Sequence, residues 1–172
     1  LAEHAGAQVV THDRNKGYGA SLRTIFQIAK NNDVSSLLIL DADGQHPEDE
    51  ITNLLSKVLD GKADIAIGSR FLDEEHKKQV PAYRRFGIKI LTMITPSGKA
   101  ENGTNGELGS VTDGQSGFRA YSKEAIQTIN PKEPGMGASA EILMEARKAG
   151  LNIMEVPVTV SYEGDTSSEG PV

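Results

Sequence analysis

Apolar residues recur with two alternating periods along this chain. The run Gln8-Val9-Val10-Thr11 reads as a short strand, and after a glycine-containing turn Leu22, Ile25, Phe26, Ile28 and Ala29 fall at helical spacing over Gly19 to Lys30. Ser36 to Leu40 predicts the next strand. A helix over Glu48 to Leu59 follows, with Pro47 suited to its start and Glu48, Asp49 and Glu50 in the first turn, where the helix dipole favours carboxylates. Strand Asp64 to Gly68, an amphipathic helix over Tyr83 to Thr95, strand Phe118 to Tyr121, helix Ala138 to Ala149 stopped by Gly150, and a closing strand Asn152 to Tyr162 complete the order. Strands alternating with helices define an α/β sheet with helices on both faces. Pro96 to Val111 interrupts the pattern: four glycines and no aromatic residue make it a long loop of the kind used as a lid or left disordered.

One junction in this pattern carries chemistry. The apolar run Leu37-Leu38-Ile39-Leu40 ends on Asp41-Ala42-Asp43-Gly44-Gln45-His46-Pro47, two carboxylates two residues apart. Strand side chains alternate with period two, so Asp41 and Asp43 leave the strand on one side if the extended geometry persists. Adjacent carboxylates repel, and a divalent cation relieves the repulsion. Ions of the magnesium type are held by one or two carboxylates plus phosphate oxygens, which points to a phosphorylated ligand. Asp-Ala-Asp-Gly is also good turn chemistry, and that reading stands beside the first. In open α/β sheets ligands sit beyond the carboxyl ends of strands, where this pair lies.

Composition narrows the class. At 172 residues one domain is expected, and a net charge of -6 leaves no overall basic surface for nucleic acid. There is no cysteine, which removes disulfides, thiolate metal sites and a cysteine nucleophile. No apolar run approaches the roughly 20 residues of a membrane span. Positive charge is concentrated locally in Lys77, Lys78, Arg84, Arg85 and Lys89, beside Tyr83, Phe86, Ile88 and Leu91. Arg70, just after the strand Ile65-Ala66-Ile67, projects toward the same cleft as Asp41 and has the planar fork that binds phosphate. Gly17 and Gly19 lack the third glycine of a dinucleotide-binding loop and suit the turn before the first helix.

Five motifs in order carry a resemblance. Asn15-Lys16-Gly17-Tyr18-Gly19-Ala20, Asp41-Ala42-Asp43-Gly44-Gln45-His46-Pro47, Gly68-Ser69-Arg70-Phe71, Asp113-Gly114-Gln115-Ser116-Gly117-Phe118-Arg119 and Glu155-Val156-Pro157-Val158 resemble family 2 glycosyltransferases, in particular the dolichyl-phosphate mannose and glucose synthase group. The resemblance implies a nucleotide-diphospho-sugar transferase (GT-A type) fold, a Rossmann-like three-layer sandwich with a mostly parallel mixed sheet. It implies a hexosyltransferase that moves a hexose, with inversion, from UDP-glucose or GDP-mannose to a polyprenyl phosphate or a saccharide. Its pyrophosphate would lie on Mg or Mn held by Asp43 and Gln45, with Asp41 on the metal or the ribose. Arg70 would contact the reacting phosphates, and Lys16 would belong to the donor arm with Arg14 and Asn15. On the acceptor side the resemblance places Arg85, with the turn at Ser116 and Gly117 reaching the acceptor phosphate. Asp113 would orient an arginine or act on the acceptor, and Glu141 stands where inverting relatives carry a base. The setting implied is the cytoplasm, with a peripheral contact at the cytoplasmic face of a membrane and no nucleic acid.

Two other readings remain open at this level. An apolar strand running into Asp-x-Asp-Gly also opens the haloacid dehalogenase-type phosphatases, where the first carboxylate is a nucleophile. The other is a nucleotide-sugar-binding module without turnover. The family's first strand and its Pro-Ala-Tyr-Asn-Glu-like turn have no counterpart in Leu1-Ala2-Glu3-His4-Ala5-Gly6-Ala7, so residues 1–172 are expected to form a single catalytic domain lacking an N-terminal strand, with the polar end Glu163 to Pro171 also read as cut.

Overall fold

The computed structural model describes residues 2–42, 44, 46, 48–72 and 111–159, with Glu48 as backbone. The expected helix at Tyr83 to Thr95, nearly all of the glycine-rich loop and the last residues of the closing strand lie outside the described residues.

Among the described residues four strands form one sheet: β1 (Ser36–Ile39), β2 (Ile65–Ser69), β3 (Arg119–Ser122) and β4 (Ile153–Pro157). Their order is β1-β3-β2-β4. β4 runs parallel to β2, while β3 is antiparallel to both β1 and β2, in register Leu37↔Tyr121 and Ile65↔Tyr121. Three strands therefore point one way, with a reversed strand wedged between two of them. That reversal brings the start of β3 to the edge where β1, β2 and β4 end.

Period-two alternation divides the apolar side chains between two cores. On one face Ile65 and Ile67 of β2 and Tyr121 of β3 pack with Leu22, Phe26 and Ala29 of helix α1 (Tyr18–Asn31), Ile126 of α3 (Lys123–Thr128), and Ile142 and Ala146 of α4 (Ala138–Lys148). On the other, Ala66, Ala120, Phe118 and Val156 meet Leu54 and Val58 of α2 (Glu48–Leu59). Phe26 and Tyr121 meet edge to face at 5.0 Å. The result is the three-layer α/β sandwich expected.

Local chemistry sets the helix ends. Gly17, at φ 90°, precedes α1, and its N–H donates to Asn15 Oδ1. Gly150, at φ 74°, ends α4 as its position predicted, with its N–H on the Arg147 carbonyl. Ser122 caps α3 by accepting the Ala125 N–H at 3.1 Å, and its own hydroxyl donates to Asp64 Oδ1 at 3.1 Å. This six-residue helix is absent from the periodicity reading because it is shorter than two full turns.

One predicted element does not form. Residues 7–12 have no regular structure, and Val9 and Val10 are half exposed, at 47% and 52%. β-branched residues favour a strand only where a neighbour completes the hydrogen-bonded ladder, and none pairs with them among the described residues.

Candidate active site at the carboxyl edge of the sheet

The sheet topology gathers the ends of β1, β2 and β4 and the approach to β3 along one edge. Each delivers part of the site.

Asp41 follows β1 and is exposed. Its carboxylate lies directly on the backbone of Gly117: a Cβ built on that glycine would stand 2.3 Å from Asp41 Oδ2 and 2.8 Å from Cγ. No positive φ is involved at Gly117, so what a side chain there would meet is the Asp41 carboxylate itself, which would have to move aside. The acidic loop makes a second contact with the same turn, for the His46 ring tilts over Phe118 with centroids 4.6 Å apart. Among the described residues the buried His46 Nδ1 has no hydrogen-bond partner. Asp43 and Gln45 lie outside the described residues. Among the described residues no three His, Asp or Glu side chains converge as a metal cluster.

Arg70 follows β2 and is held by Asp113 in a fork. Nε donates to Oδ2 and Nη2 to Oδ1, both at 2.7 Å, and the Arg70 backbone N–H adds a third bond to Oδ2 at 3.2 Å. Asp113 is fully buried, whereas the Arg70 side chain is 27% exposed. Of the two roles expected for Asp113, orienting an arginine or acting on the acceptor, the ion pair with Arg70 bears on the first. Bidentate ion pairs of this kind fix direction as well as charge.

Residues 111–113 belong to no strand, so their amides need partners from elsewhere. Glu155 of β4 supplies them. One carboxylate oxygen accepts the Thr112 N–H at 2.8 Å, the other accepts the Asp113 N–H at 2.8 Å, and the Thr112 hydroxyl donates to the same group at 2.9 Å. Ser69 Oγ, buried at the end of β2, lies 3.1 Å from Thr112 Oγ1. Sequence reasoning passed over Glu155 as a site residue. Its signal was present: β4 alternates Ile153, Glu155 and Pro157 on one face, and a carboxylate stands where the pattern calls for an apolar residue.

The turn 114–117 is tied internally. Ser116 is buried, its N–H donates to the Asp113 carbonyl and its hydroxyl accepts the Phe118 N–H. The buried Arg119 guanidinium donates to the carbonyls of Ser116 and Gly114, at 2.9 and 2.7 Å. A cation thereby braces the loop that carries Asp113, Ser116 and Gly117.

Two further expected residues have partners of their own. Lys16 pairs with Asp13 at 2.6 Å on the exposed surface, and its ammonium holds the Asp13 carboxyl below its ordinary range. Glu141, in the first turn of α4, accepts the backbone N–H groups of Lys132 and Glu133 at 2.8 Å each through Oε2. Arg23 of α1 grips the same segment by donating to the carbonyls of Pro131, at 2.9 Å, and Lys132. Arg85 lies outside the described residues.

A mixed sheet with helices on both faces, an acidic strand end and an arginine held at the next strand end define the GT-A type of nucleotide-diphospho-sugar transferase fold. Glucosyl-3-phosphoglycerate synthase from Mycobacterium tuberculosis, solved with Mn2+, UDP-glucose and phosphoglyceric acid, superposes on 95% of this chain with a TM-score of 0.63 at 19% identity, and the chain covers 55% of it. Residues 1–129 match Glycosyl transferase family 2, and the chain belongs to that family. It is 32% identical over 177 residues to an uncharacterized protein of Methanocaldococcus jannaschii, covering 99% of this chain and 68% of that one. It is 30% identical over 165 residues to the UDP-N-acetylglucosamine--dolichyl-phosphate N-acetylglucosaminyltransferase of Methanococcus voltae, covering 94% of this chain and 62% of the relative. Family and fold together set aside the phosphatase reading of Asp41 and Asp43.

Proposed function

We propose that this chain forms the sugar-transfer domain of a metal-dependent inverting glycosyltransferase, passing a hexose from a nucleotide diphosphate sugar to a polyprenyl phosphate at the cytoplasmic face of a membrane. The observation that carries the reading is the joint placement, at one sheet edge, of the Asp41 carboxylate against Gly117 and of Arg70 in the fork of Asp113. The dolichyl-phosphate enzyme among the relatives favours a lipid phosphate over a saccharide acceptor.

Magnesium or manganese suits this edge, because such ions take oxygen donors and Asp41 offers an exposed carboxylate in a space that any side chain at Gly117 would fill. Asp41, Asp43 and Gln45 would hold the ion. When bound, it neutralises the charge that grows on the departing diphosphate. The chain's own groups supply the rest. Arg70, oriented by Asp113, keeps a permanent positive charge where the pyrophosphate would lie, and Lys16 adds charge on the donor side. Ser116, Gly117 and Arg85 would serve the acceptor. A phosphate acceptor is already an anion near neutral pH, so it attacks the anomeric carbon without giving up a proton to a strong base. That fits a Glu141 carboxylate engaged with two amides. No helix among the described residues is long and apolar enough to cross a membrane.

Calorimetric titration of UDP-glucose and GDP-mannose, with and without Mn2+, tests the proposal on this chain and on its Asp41→Asn and Asp43→Ala variants. Binding of one donor that requires the metal and both carboxylates is the expected result. Binding that ignores the metal overturns the metal-dependent mechanism. Metal-dependent binding with no transfer to a short polyprenyl phosphate by the full-length protein would favour a binding module without turnover.

A further inference from the structure

We infer that Glu155 is a positioning residue for transfer, acting through Asp113 to set the direction of the Arg70 guanidinium; the functional part rests on the reading above. The inference starts from a misfit. In β4 the side chains of Ile153, Glu155 and Pro157 share the sheet face that packs on α1 and α4, opposite Ile65, Ile67 and Ser69 of β2. An apolar residue at 155 would extend that core. Glu155 is half-buried, so its carboxylate gives up part of its hydration there and takes protein donors in return.

The donors all come from the segment that carries Asp113. Glu155 takes the Thr112 and Asp113 amides, one on each oxygen, and the Thr112 hydroxyl as well. With the Thr112 proton committed to Glu155, the proton between Ser69 Oγ and Thr112 Oγ1 belongs to Ser69. One carboxylate on β4 thus ties residues 112 and 113 to Ser69 and Arg70, consecutive residues where β2 ends. Main-chain bonds from β4 to β2 already fix that end, since Val158 N–H donates to the Ser69 carbonyl. What they do not fix is segment 111–113, which has no ladder of its own. Val111 anchors it apolarly, and Glu155 sets its rotation. The Asp113 Cβ direction follows from the backbone at 113, and the Arg70 fork follows from Asp113.

Glu155→Gln is the informative change because it keeps shape and replaces one acceptor oxygen by a donor that faces a backbone N–H. In the unaltered protein, hydrogen exchange measured by NMR should show the Thr112 and Asp113 amides and the Arg70 Nε–H opening together. In Glu155→Gln all three should exchange about tenfold faster, the loss of roughly one hydrogen bond, while the β2 and β3 ladder amides keep their rates. Thr112→Val, which removes the hydroxyl's bonds to Glu155 and Ser69 but keeps both amides on Glu155, should leave Arg70 Nε–H protection unchanged. An Arg70 Nε–H that exchanges independently of the 112 and 113 amides in the unaltered protein overturns the inference, even if the glutamine variant fails to fold. So does faster exchange of the two amides with Arg70 unmoved.

The functional arm uses UDP-glucose with Mn2+. Glu155→Gln should weaken donor binding about tenfold, and that loss should vanish in an Arg70→Ala background, the non-additivity expected of coupled residues. A loss of the same size in both backgrounds would mean a merely structural glutamate. If the unaltered protein binds no nucleotide sugar, the transferase reading falls while the exchange measurements still decide the positioning role.

Discussion

Gly19 and Gly117 both exclude a side chain, but the obstacles differ in kind. A Cβ at Gly19 would fall 1.9 Å from the Glu133 carbonyl oxygen and 2.9 Å from Ala138 Cβ, so fixed backbone would have to move. At Gly117 the obstacle is Asp41 Oδ2, the far end of a side chain that can rotate away. Gly19→Ala is therefore expected to lower stability by about 3 kcal/mol, measured by urea unfolding, the upper range for overpacking. Gly117→Ala should leave the unfolding midpoint nearly unchanged and weaken Mn2+-dependent donor binding about tenfold, since it displaces a carboxylate worth of order 1.4 kcal/mol to the ion. Unaltered binding in Gly117→Ala would mean that the position of Asp41 does not matter to the ligand. At Gly17 both a positive φ and the Pro134 carbonyl oxygen, 2.5 Å from a built Cβ, call for glycine. Neither the Glu133 contact nor the Asp41 contact was legible, because both partners arrive from distant parts of the chain.

At the scale of elements, α4 and the segment before it are read differently by sequence and by structure. A carboxylate at the start of a helix suits a catalytic base or the helix dipole equally, and Glu141 was expected as a base on resemblance. Its Oε2 receives two amides, while Arg23 holds the carbonyls of the same stretch from α1. The segment 131–134 is thereby clamped between two helices, and Gly17 and Gly19 abut it. Glu141→Gln, which keeps one acceptor oxygen, is expected to cost about 1–2 kcal/mol of stability while transfer by the full-length protein stays within a few-fold of normal. A collapse of turnover with unchanged stability would restore the base. Long helices were the most legible elements: α2 has the bounds its apolar spacing and acidic first turn predict, and α1 extends one residue beyond them at each end. Short strands were legible where a partner completes the ladder, as at β1, β2 and β3, whereas Val9 and Val10 have the composition of a strand and pair with nothing among the described residues.

At the scale of the molecule, the core that supports the site carries one polar group with a measurable signature. The Tyr121 hydroxyl is enclosed between the sheet and α1, and burial raises its pKa above the ordinary value near 10, opposed in part by the neighbouring Arg119. The folded protein keeps a proton that the unfolded chain releases, so this contribution to stability is complete below about pH 10 and declines as pH rises beyond it. Urea midpoints measured between neutral and strongly alkaline pH should fall less steeply in Tyr121→Phe than in the unaltered protein; parallel curves would refute an enclosed phenol. Hydrophobic period, helix signals and the ordered motifs were enough to determine an α/β sandwich, its family and the acidic strand end, because each is written within a few consecutive residues. Tertiary structure alone decided that β3 enters reversed between β1 and β2, that Gly117 makes room for Asp41, that Asp113 grips Arg70, and that Glu155 holds the segment between them. Those relations join residues far apart in sequence, where the choice of partner depends on how the strands pair and which amides the pairing leaves unsatisfied.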